Sequence, residues 1–206
     1  MPLEMKCSMP PAPARHRTSP LRRDPGMQAG LIAGLRNHCQ FDVAAWKDLL
    51  AECGLSPADL VDGDAPVPLS KGLRVFEAAA RLRRNPMLGL DYVRATDVGA
   101  TGALGFAVAT ARTVREALQT TARFMPLVAT VDISRYEETA TAGTIAWRYP
   151  VADPKLSAQF AMWGTTSVID RLQRVLSTAW RPARVEFNFP RPNEDAPYEI
   201  VFGPGL

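Results

Sequence analysis

The 206-residue chain is 47% hydrophobic and 22% charged, enough apolar material for one cored domain or two small ones. Its net charge of +3 comes from the first 26 residues, where five basic side chains face two acidic ones. The remaining 19 basic and 19 acidic residues balance, so the body lacks the basic footprint of a duplex-binding domain.

Residues 1–26 hold six of the 18 prolines and almost no periodic apolar positions. The composition predicts a disordered arm over residues 1–28, with no apolar middle of a secretion signal. No run reaches the length of a membrane span. Cys7, Cys39 and Cys53 are odd in number and lack a CxxC spacing, which suits reduced thiols in a cytoplasmic protein.

From Gln28 the pattern becomes helical. Asp42 is placed to cap a helix bearing Val43, Trp46, Leu49, Leu50 and Cys53, which ends at Gly54. Ser56 and Pro57 start a short turn of helix. Leu69, Leu73, Phe76 and Ala80 form the stripe of the next helix, which closes on Arg81, Arg83 and Arg84. "GATGALGFAVAT" at 99–110 is rich in small residues and suits close helix packing. Thr113 and Glu116 form a capping box for the helix that follows, through Leu118, Ala122 and Met125.

The apolar period then changes from near 3.6 to 2. Val131 and Ile133 alternate in one strand, and Ile145, Trp147 and Tyr149 share one face of the next, predicting an antiparallel hairpin. A long helix is expected from about Pro154 to Ala179. A last strand at 184–189 is expected to join the hairpin. The fold class is therefore α+β, with N-terminal helices packed on a small antiparallel sheet around a ββαβ core, as one domain.

Catalytic constellations are scarce. His16 and His38 are the only histidines, one of them in the arm. No GxSxG, GxxxxGK[ST] or GxGxxG motif occurs, so neither an enzyme nor a metal site is expected, and no cofactor. His38 beside Cys39 reads as a helix-end histidine and a buried thiol; the alternative is a haem ligand in a gas sensor. Where the helices meet the hairpin, Phe106, Met125, Trp147, Phe160 and Trp163 supply large apolar surfaces. They read either as ordinary core or as the wall of an apolar ligand cavity, with Arg123, Tyr136 or Arg148 orienting the ligand.

Three collinear segments, "GLSPADLVDGDAPVPLSKGLRVFEAAARLRRNPMLGL", "GALGFAVATARTVREALQTTARFMPLV" and "WRPARVEFNFPRP…YEIVFG", resemble the N-terminal, arabinose-binding-like domain of AraC-type transcriptional regulators. The resemblance covers about residues 30–203. It implies that residues 29–206 form an effector-sensing and association domain. The implied partners are a small-molecule effector and a second copy of the chain, with no membrane. Promoter DNA is expected to be read only by a C-terminal helix-turn-helix domain that this sequence does not contain. The alternative is a dimerisation module without a small ligand.

Overall fold

In the computed structural model, residues 3–7, 25–96, 98–176, 180–190 and 198–202 are described, the first of these stretches as backbone alone. Helix starts follow local chemistry. Helix α1 spans Ala29–His38 and α2 spans Val43–Glu52, where the Asp42 carboxylate accepts from Ala45 N–H at 2.8 Å. Gly54 ends α2 at a φ of +75°, a backbone region that costs glycine little. Ser56 and Asp59 form a reciprocal capping box around a 3-10 turn at Pro57–Leu60. Helix α3, Leu69–Leu82, buries the expected stripe of Leu69, Leu73 and Phe76. Helices α4 (Leu88–Tyr92), α5 (Gly102–Ala109) and α6 (Val114–Phe124) follow.

Two sheets organise the molecule. The smaller is a ribbon of β2 (Gly26–Gln28) and β3 (Pro66–Pro68), with Val128–Thr130 hydrogen-bonded along the other side of β2. The larger contains β1 (Leu3–Cys7), β4 (Ile133–Glu138), β5 (Gly143–Arg148) and β6 (Arg184–Phe187), in the order β4-β5-β1-β6. The chain crosses from β5 to β6 through α7 (Ala158–Leu176) and ends its described part in α8 (Tyr198–Phe202). The architecture is α+β.

Two expectations need correction. The sheet is not wholly antiparallel, and β6 does not join the hairpin directly. The hairpin β4–β5 is antiparallel, but β1 lies between β5 and β6 and runs parallel to both. The physical reason is the crossover: a long helix returns the chain to the same end of the sheet, so the strands it joins run in one direction. The inserted strand, Leu3–Cys7, lies inside the stretch expected to be a disordered arm. Helix α7 is described to Leu176, and the expected final turn at 177–179 lies outside the described residues.

Candidate functional site

Helix α7 runs through the centre of the molecule, buried on every side from Gln159 to Ile169. Its Phe160 is a hub of rings. Trp163 stacks on it at 5.2 Å, while Phe76 from α3 and Tyr149 just past β5 each approach to 5.1 Å. Tyr92 links this group to α1: its hydroxyl donates to Leu31 O at 2.9 Å, and the His38 ring lies 5.3 Å from its own. Burial raises the Tyr92 phenol above its ordinary range and lowers His38.

Of the eight residues expected to shape a ligand site, four belong to this interior. Trp147, Phe160, Trp163 and Met125 are 1%, 1%, 2% and 6% exposed. A hollow large enough for a metabolite would leave its walls open to a water-sized sphere, so these side chains are packed core. Phe106 is 60% exposed on α5, and Arg123 is exposed with its guanidinium 5.2 Å from the Phe124 ring. Tyr136 is half-buried against the core edge. Arg148, next to Trp147 in β5, points to the opposite sheet face, where it meets Asp132 at 3.5 Å. The geometry separates Phe106, Arg123 and Arg148 from the buried aromatic group.

The interior also holds buried polar atoms that have no partner among the described residues, including the indole nitrogens of Trp147 and Trp163 and the hydroxyls of Thr101, Thr165, Thr166 and Ser167. Each carries a desolvation cost of about 1–3 kcal/mol. Successive residues on a helix point about 100° apart, so Thr165, Thr166 and Ser167 do not converge on one spot.

A polar network that the sequence reading missed joins α3, α4 and α7. Gln159 accepts from Gly89 N–H with its amide oxygen (2.8 Å) and donates to Pro86 O with its amide nitrogen (2.9 Å). Its own backbone N–H donates to the Glu77 carboxylate at 2.8 Å, in the first turn of α7, where the helix dipole favours an anion. Burial outweighs this bond and pushes Glu77 up to about 7. The signal was present: Glu77 interrupts the apolar run between Phe76 and Ala78.

Two open concavities lie elsewhere, on the small ribbon. One, of about 360 Å³, is walled by Pro25–Gln28, Pro66–Pro68, Pro126–Val128 and Thr130, with Asp64 at its rim. A second, of about 240 Å³, shares Pro25 and Pro68 and is completed by Leu69, Ser70, Pro150 and Val151. Prolines contribute rigid, apolar walls without N–H donors. Gln28 and Thr130 supply polarity in the larger one; the Thr130 hydroxyl oxygen accepts from Gly26 N–H at 2.9 Å, and its proton remains free to donate. None of the eight expected residues lines either groove. No signal in the sequence marked this place, because the groove is assembled from three distant segments.

Among the described residues no group of three or more His, Cys, Asp or Glu side chains is placed to hold a metal ion, and no helix is long and apolar enough to cross a membrane. The model of the family described as the arabinose-binding domain of AraC transcription regulators, N-terminal, matches residues 44–206. No curated protein matches the chain.

Proposed function

Because the chain belongs to the family of N-terminal arabinose-binding domains of AraC transcription regulators, we propose that it is a ligand-sensing and association domain of a bacterial regulator. A small effector binds it, shifts its conformational population, and thereby biases promoter binding by a separate C-terminal domain of the full-length protein, in the cytoplasm. The family match over residues 44–206 carries this reading.

The larger ribbon groove is the proposed entry for the effector. Its volume of about 360 Å³ suits a small molecule, and its lining is mainly apolar with Gln28 and Thr130 as orienting groups. Trp147, Phe160 and Trp163 act in this reading as the packed interior through which a shift of β2 reaches α7. Met27 in β2 supports that route, since it is 1% exposed and its side chain meets Gly72 of α3.

Thermal-shift measurement of this chain against metabolite classes is the test. At least one class is expected to raise Tm, because a ligand that binds only the folded state stabilises it. Leu127→Arg, at the exposed rim of the groove, is expected to abolish the rise while leaving the ligand-free Tm unchanged. If no class raises Tm, sensing is lost and the second reading, an association module without a small ligand, takes its place. The dense packing around α7 favours that second reading.

A further inference from the structure

The outer edge of β4 has a pattern that fits a copy of itself. Thr139 N–H donates to Ala142 O at 2.8 Å across the hairpin turn. Counting back along the register Glu137↔Thr144, Arg135↔Ala146 and Ile133↔Arg148, the main-chain groups of these residues point at β5. Those of Ser134, Tyr136 and Glu138 point away from the sheet. β4 is last in the strand order, and among the described residues no strand pairs with this edge.

The side chains divide in the same alternation. Ser134 Oγ donates to Ala122 O of α6 at 2.5 Å, and Arg115 of α6 grips Glu138 through Nε and Nη2 at 2.6–3.0 Å. Arg135 and Glu137 therefore occupy the opposite face, with Arg135 Nε 3.4 Å from Glu137 Oε1 and the two side chains 49% and 61% exposed.

We propose that a second copy of this chain docks here, β4 pairing antiparallel with β4 across a twofold axis at Tyr136. Two conditions select that register. Outward-pointing residues must meet outward-pointing residues, so the axis passes through a residue position. An axis at Arg135 sets arginine against arginine, and one at Glu137 sets glutamate against glutamate; like charges directly opposite destabilise a strand pair. An axis at Ser134 or Glu138 leaves much of the strand unpaired. At Tyr136, each Arg135 faces the other copy's Glu137, Ser134 faces Glu138, and Tyr136 faces itself. The result is an isologous contact that continues the four-stranded sheet into eight. The opposite edge, β6, spans four residues against six for β4 and offers fewer bonds. An open strand edge is an invitation to pairing that proteins ordinarily block, and here the charges restrict it to a self-complementary partner. The inference deepens the association step of the proposed function and rests on that step alone.

Sedimentation of the chain and its charge-reversed variants tests it, with circular dichroism to verify folding. The wild-type chain is expected to dimerise into the high micromolar range. R135E and E137R should each weaken the dimer roughly tenfold or more, because both facing pairs become like-charged. Mixed in equal amounts, the two variants should associate with each other, since every facing pair is then opposite in sign; the double variant R135E/E137R should regain the dimer. A monomeric wild-type chain overturns the proposal. Dimers that persist unchanged in both single variants overturn this surface while leaving association intact, and neither result bears on effector-induced changes in Tm.

Discussion

A Cβ at Gly89 would fall against the main-chain carbonyl of Gln159, so the contact between α4 and α7 requires a residue without a side chain there. Backbone cannot swing aside as a side-chain tip can. Gly89→Ala is expected to cost about 3 kcal/mol by overpacking, read from denaturant unfolding. The unpartnered hydroxyl of Thr165, in a side chain 1% exposed, predicts the opposite sign. Thr165→Val replaces it with a methyl of similar size and should raise stability by about 1 kcal/mol in the same measurement. Glu77 makes stability depend on pH. Its carboxyl titrates at about 7 when folded, against 4.5 for the ordinary group, so the folded chain holds the proton more tightly. That contribution is complete below about 4.5, falls as pH rises, and is gone above about 7. Glu77→Gln keeps an acceptor for Gln159 N–H and should gain about 2 kcal/mol over the wild type above neutrality, with the gap closing toward acid.

Helix boundaries were the most legible elements, because a cap is written in adjacent residues. Asp42, Ser56 and Thr113 all sit where the sequence placed them. Asp42→Ala should cost about 1 kcal/mol by thermal unfolding. Even here a detail differed: Thr113 accepts from Glu116 N–H as expected, but Glu116 reaches back to Arg112 N–H, one residue before the cap. The hairpin β4–β5 was visible in kind but displaced in its first strand: of the expected alternation Val131 and Ile133, only Ile133 lies in β4, which runs on to Glu138. The interior role of the aromatics was only half legible. Periodicity marks Trp147 and Trp163 as inward-facing, yet whether an inward face meets packing or a hollow depends on neighbours far along the chain. At 1% exposure Trp147 meets packing. Trp147→Ala is therefore expected to cost about 4 kcal/mol by denaturant unfolding, the scale for emptying a filled core site.

For the whole molecule, the sequence revealed the α+β class but not the order of the larger sheet. Proline-rich surroundings hid Leu3–Cys7, and parallel pairing leaves no short-range signature. The groove on the small ribbon was hidden for the same reason, since Gly26–Gln28, Pro66–Pro68 and Val128–Thr130 meet only in three dimensions. The placement of β1 has a further consequence for how the protein is made. Leu3 pairs with Gly143, about 140 residues downstream, and Glu4 with Arg184, about 180 downstream. Once made, this strand must wait for about 140 to 180 further residues before its neighbours arrive. The larger sheet is thus zipped shut late, with Leu3–Cys7 as its keystone.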